Sequence, residues 1–158
     1  MKRSRILVAA TLGLAVVFIA VLAMALVRAG HNGPAGEGWE NAGSLEELDA
    51  TRVVKVPDQT VYLVASDLTP LALSAVDPHL GEIIAYCESS GWFEDPDHGS
   101  KYDGQGYYAM GPSPRGMDRV AVTVFQGDVW IQPANDTEGP PRGADNPAHE
   151  DPRGPFCS

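Results

Sequence analysis

Short runs of β-branched and aromatic residues, each cut off by Pro or Gly after a few positions, restrict this chain to small antiparallel sheets. Seventeen glycines and 13 prolines in 158 residues leave few stretches long enough for a helix. Residues 52–56 and 60–65 have strand character on either side of Pro57-Asp58-Gln59. Residues 71–76 form another such run, and 82–86 and 107–110 are shorter ones. Residues 119–125 and 128–132 flank Gln126-Gly127, a hairpin with glycine in the turn. Many short strands with Pro/Gly turns predict an all-β sandwich or small barrel. Ser44-Leu45-Glu46-Glu47-Leu48 predicts one helical turn, with Ser44 as cap and Glu47 at the capping-box position.

Two of the connections between these runs carry unusual chemistry. One reads Asp77-Pro78-His79-Leu80-Gly81-Glu82, and the other Asp95-Pro96-Asp97-His98-Gly99-Ser100-Lys101-Tyr102-Asp103. Each sets a histidine beside acids in a loop bounded by Pro and Gly. Imidazole and carboxylate drawn from two loops form a metal-ligand vocabulary.

These loops resemble the Rieske iron–sulfur family. The family motifs are Cys-x-His-Leu-Gly-Cys and Cys-Pro-Cys-His-Gly-Ser, a Tyr/Phe-Asp pair, and a Gly-Pro-x-Pro-Arg loop. Gly111-Pro112-Ser113-Pro114-Arg115 matches the last of these, and the resemblance covers residues 52–132. It implies a Rieske-like antiparallel β sandwich with a small loop lobe, about 77–115, inserted into it. By the same resemblance His79 and His98 stand at the two histidine-ligand positions. Asp77 and Asp95 stand where the cysteine ligands would be, and Glu82 and Asp97 where the disulfide cysteines would be. Ser100 and Tyr102 occupy positions whose hydroxyls bond cluster sulfurs in the family. Gly111, Pro112 and Pro114 would form a lid made rigid by proline.

All four family cysteines are therefore acids here. Thiolates match cluster iron, whereas carboxylates are hard oxygen ligands. An ordinary [2Fe–2S] cluster is accordingly the least favoured cofactor. Two states remain: no cofactor, or a single divalent metal (Fe, Zn or Mn) on Asp77, His79, Asp95 and His98. If the acids converge as the cysteines do, they cannot all stay ionised unaided; a cation, a protonated histidine or a protonated carboxyl would relieve them. The actual cysteines, Cys87 and Cys157, fall at no family ligand position, and the sequence leaves open whether they pair.

The apolar run 6–27 follows a basic tip and is long enough to cross a membrane. It predicts a single-pass anchor over 1–28, with the N-terminus cytoplasmic and the rest extracytoplasmic. A cleaved signal peptide is the competing reading, because Ala23-Met24-Ala25 resembles a cleavage site. Residues 29–51 read as a linker, and residues 133–158 as an irregular tail wrapped on the domain or on a partner. All 21 acidic residues lie beyond Arg28, whereas Lys2, Arg3, Arg5 and Arg28 account for four of the 11 bases. So acidic a surface excludes nucleic acid as a partner. His31 and His149 read as solvated, and Trp92, Phe93, Tyr107 and Tyr108 as packing. No nucleophile triad, phosphate loop or dinucleotide fingerprint is present, and no independent enzymatic activity is expected.

Three function classes follow, in order. The first is an accessory subunit of a membrane redox or respiratory complex. The second is a mononuclear metal-binding protein, and the third a [2Fe–2S] electron carrier.

Overall fold

The computed structural model describes residues 19–20 and 33–158. The chain divides into two units, Met1–Gly33 and Pro34–Ser158, and the fold below is that of the second. The predicted anchor over 6–27 lies outside the described residues except for Ile19 and Ala20. No helix among the described residues is long and apolar enough to cross a membrane.

The elements in order are β1 (Glu40–Ser44), α1 (Leu45–Thr51), β2 (Val53–Lys55), β3 (Val61–Val64), β4 (Leu71–Ser74), β5 (Ala85–Cys87), β6 (Trp92–Glu94), β7 (Lys101–Tyr102), β8 (Tyr108–Met110), β9 (Arg119–Phe125) and β10 (Asp128–Thr137). They form a six-stranded sheet ordered β1-β10-β9-β4-β3-β2 and a four-stranded sheet ordered β5-β6-β7-β8. Every strand pairing is antiparallel. The small sheet enters between β4 and β9 of the large one, which are themselves paired at Ala72–Val120 and Leu73–Arg119. The architecture is therefore all-β with one short helix, and the chain between β4 and β9 forms the second sheet.

Strand β3 shows why two layers form. All four of its residues are buried. Successive side chains point to opposite faces of a strand. Val61 and Leu63 join Leu48, Val129 and Ile131 in one core. Tyr62 and Val64 join Leu73, Ile84, Phe93, Tyr102 and Met117 in the other. The large sheet thus closes over its own core on one face and receives the lobe on the other.

Local signals act where the sequence places them. Ser44 Oγ accepts the Glu47 N–H at 3.1 Å, capping α1 and burying Leu48. Gln126 and Gly127 both have positive φ, which is the two-residue turn whose twist suits a hairpin.

Three boundaries differ from expectation. Residues 29–51 are not simply a linker, because Glu40–Ser44 is a strand paired with β10. β10 continues past Gln132 to Thr137, through a register shift around Pro133, which has no N–H for the ladder. β6 and β7, at three and two buried residues, are too short for any periodicity in the sequence to show.

Candidate functional site

The two histidine loops have one backbone design. In the first, the Asp77 N–H donates to Glu82 O (2.8 Å) and the Gly81 N–H to Asp77 O (2.9 Å). In the second, the Asp95 N–H donates to Ser100 O (2.8 Å) and the Gly99 N–H to Asp95 O (3.1 Å). Gly81 and Gly99 supply the positive φ each turn requires, 85° and 77°. Each aspartate then closes its own loop. Asp77 Oδ1 accepts the His79 N–H at 2.5 Å, and Asp95 Oδ1 accepts the Asp97 N–H at 2.9 Å. A side-chain oxygen that takes the amide two residues on makes an Asx turn, which Asp-Pro sequences favour.

The aspartates are buried and the histidines are not. Asp77 is 2% and Asp95 0% exposed, whereas His79 and His98 lie at the surface. The two imidazole rings meet edge to face with centroids 5.7 Å apart. Asp77 Oδ2 accepts the Tyr102 hydroxyl at 3.0 Å. Burial pushes that hydroxyl well above the usual tyrosine range, and the charge of Asp77 pushes it further. Asp95 Oδ2 has no such partner. His98 Nδ1 lies 3.3 Å away but not in hydrogen-bonding geometry, and Ser100 Oγ is likewise buried without a partner. Glu82 and Asp97 are exposed at the loop rims.

The lid of Gly111, Pro112, Ser113 and Pro114 packs directly on the second loop. A Cβ on Gly111 would lie 2.5 Å from Ser100 Cα and 2.7 Å from Gly99 O. Gly111 O accepts the Tyr108 hydroxyl at 2.8 Å and Arg142 Nη2 at 2.7 Å, so the tail clamps the lid from outside. Arg142 also stacks over the Tyr108 ring, 4.2 Å from its centroid, and bonds its hydroxyl. Leu80, Ile83 and Met110 are exposed apolar residues of the same lobe.

Asp77, His79, Asp95 and His98 are thus brought into one lobe, but no three of them present donor atoms within 4.8 Å of one another. Among the described residues, only Cys87, Glu94 and Cys157 gather three donor atoms that closely. Those two sulfurs are bonded to each other, joining β5 to the tail across 70 residues with Cα atoms 5.8 Å apart. Sequence reasoning missed the polar cluster beside that disulfide. Glu94, 2% exposed, accepts from Ser90, from the N–H groups of Cys157 and Ser158 and from the Ser158 hydroxyl. Burial drives its carboxyl up, but these bonds outweigh burial and hold it below the usual range. Lys101 Nζ stands 3.3 Å from Glu94 and donates to Ser158 O. His149, expected to be solvated, is half-exposed and lies 3.2 Å from the buried Asp103. Trp92 and Phe93 do prove to be packing residues.

No family model matches the chain. It is 31% identical over 102 residues to a cytochrome b6-f complex iron–sulfur subunit of Synechococcus elongatus, covering 63% of this chain and 56% of that one. It is 29% identical over 121 residues to cytochrome b6-f complex iron–sulfur subunit 2 of Nostoc, covering 75% and 65%. The chain therefore spans less than two thirds of the length of these relatives. Among solved structures, the plasma membrane Rieske protein PetC3 of Synechocystis is 22% identical, with TM-score 0.49 over 58% of this chain and 97% of that one. The chain is therefore similar in sequence to the iron–sulfur subunits of cytochrome b6-f complexes, and its loops resemble those of Rieske proteins.

Proposed function

We propose that the chain is an accessory subunit of a membrane redox complex. In this reading it is held at the membrane by residues 6–27, with its Rieske-like domain outside, and it carries no ordinary [2Fe–2S] cluster. The observation that carries this reading is the use made of the loop aspartates. Both turn Oδ1 into their own loops, and Asp77 spends its second oxygen on Tyr102. A [2Fe–2S] cluster does not fit such residues. The ligand positions hold hard oxygens already bonded to amides, and the chain's two sulfurs form a disulfide at the opposite end of the β5–β6 hairpin from Asp95. The acids have replaced the thiolates as acceptors that shape the loops, so the lobe keeps its form without the cofactor. Docking onto a larger complex uses that form, with Leu80, Ile83 and Met110 as its exposed apolar residues.

One observation favours a second reading, a mononuclear metal site. Asp95 Oδ2 and Ser100 Oγ are buried without partners, and His98 stands 3.3 Å from that oxygen. An unpaired buried carboxylate oxygen is costly unless something charged meets it. Zinc, iron(II) or manganese on Asp95 and the two histidines would do so. It would need the loops to close, since metal–ligand distances are about 2.0–2.2 Å.

Elemental analysis of the purified full chain, with its visible spectrum, separates the readings. Absence of metal after anaerobic preparation supports the accessory subunit. One equivalent of metal without acid-labile sulfide supports the mononuclear site. Two irons and two sulfides would overturn both and restore electron transfer.

A further inference from the structure

The tail after β10 is irregular, yet it is closely bonded to the lobe. The Arg153 N–H donates to Ser90 O, Trp92 Nε1 donates to Glu150 O, and Phe156 packs on Trp92 with ring centroids 5.7 Å apart. At its end, the backbone of Cys157 and Ser158 fills the hydrogen-bonding needs of Glu94 and Lys101, two charges buried in adjacent strands. This segment bonds both charges directly, and both are buried in its presence. The disulfide is its one covalent tie to the lobe.

We propose that residues 145–158 are a strap latched by the Cys87–Cys157 disulfide, and that a dithiol reductant opens it, exposing the Glu94–Lys101 pair and Trp92. Cys157 is exposed while Cys87 is 2% exposed, so an incoming thiolate reaches Cys157 Sγ. The new sulfur–sulfur bond forms there as the Cys87–Cys157 bond breaks, and Cys87 leaves as a thiolate and takes a proton. The second thiol of the reductant then attacks the mixed disulfide and releases Cys157. Two electrons and two protons pass from the dithiol, which becomes a disulfide. Ser89 suits this exchange. Its hydroxyl lies 3.1 Å from Cys87 Sγ and now donates to Pro155 O at 2.7 Å. Once Pro155 departs with the strap, that hydroxyl is free to donate to the Cys87 thiolate.

The latch is decisive because of what opposes it. Ordering a backbone residue costs about as much as a net hydrogen bond returns, or more. The strap has no strand of its own after Thr137 and few apolar anchors. When it opens, Glu94 and Lys101 regain water, so little penalty holds it closed without the covalent bond.

The test is hydrogen exchange and trypsin cleavage of the full chain, oxidised and after excess dithiothreitol, with Cys157→Ser as a second route to the open form. We expect cleavage after Arg153 to accelerate at least tenfold on reduction. Residues 150–158 should lose protection, Trp92 emission should shift to the red, and re-oxidation should reverse all three. Strands β3, β4 and β9 should keep their protection. Unchanged cleavage after Arg153 in the reduced chain and in Cys157→Ser would overturn the proposal. So would a disulfide that resists excess dithiothreitol, or loss of protection in β3, β4 and β9 together with the strap, which would make the bond a global staple.

Discussion

Replacing Tyr102 with Phe removes a single oxygen, and the structure sets the consequence. Tyr102 is fully buried in the core between the large sheet and the lobe. Its hydroxyl is the only partner of Asp77 Oδ2 among the described residues, and Asp77 is itself 2% exposed. The ring stays, so the packing term is small. What is lost is a hydrogen bond to a charged acceptor, of about 1.5–3 kcal/mol, because the carboxylate oxygen is left buried and unpaired. Tyr102→Phe should therefore cost about 2 kcal/mol. With urea m-values of about 1–3 kcal/mol/M, the unfolding midpoint falls by roughly 1 M at unchanged slope. Asp77→Asn keeps an oxygen for the His79 N–H but removes the charge facing Tyr102. In that background Tyr102→Phe should cost at least about 1 kcal/mol less. A loss under about 0.5 kcal/mol, or an equal loss in both backgrounds, would refute the claim that this bond ties the first loop to the core.

The same hydroxyl makes the fold sensitive to alkali. Burial raises the pKa of both Tyr62 and Tyr102 in the folded chain, so their contribution is complete below the unfolded value of 10.0 and is lost as pH climbs toward the folded values. Denaturation followed upward from pH 10 should show stability falling as pH rises, and the fall should be shallower in Tyr102→Phe. Glu94 titrates in the opposite sense. Its folded pKa is held below 4.5, so its contribution is present above that value and fades as pH falls through the folded one. Hydrogen exchange should find residues 157 and 158 losing protection in acid first, and Glu94→Gln should remove that dependence. Gly111→Ala would drive a Cβ into the backbone of Ser100 at a φ of 99°, and should cost about 2 kcal/mol or more in a urea melt, with the lid displaced.

Much of the base was legible because its signals are local. The Gln126-Gly127 turn, the Ser44 cap and the two Asp-Pro loops each specify themselves within a few residues. What could not be read depends on contacts distant in sequence. Trp92–Glu94 carries a charge in a strand buried on both faces, which alternation rules reject. Besides Ser90 and Lys101 nearby, its partners are Cys157 and Ser158, more than 60 residues away, which arrive to bond Glu94. His149 reads as solvated for the same reason: its partner Asp103 is 46 residues away. The disulfide depended on geometry that spacing does not carry.

The lobe raises a last question, since no disulfide among the described residues joins its two loops. Its loops are held in three other ways: the closing amides of Asp77 and Asp95, the Tyr102–Asp77 bond, and Gly111 packed on Ser100. None of these uses an imidazole. His79 and His98 are both exposed, and neither ring belongs to a core. His79 contributes its backbone N–H to the Asx turn, which alanine would also supply. Apart from their edge-to-face contact with each other and the approach of His98 to Asp95, packing gives no reason for histidine at either position. His79→Ala with His98→Ala should leave stability within about 0.5 kcal/mol of the parent, as for surface changes in general. If the double variant loses a bound metal or its affinity for a membrane partner while its urea midpoint holds, the imidazoles serve binding. A midpoint that drops by several kilocalories would show instead that the rings carry the lobe, contrary to the contacts described above.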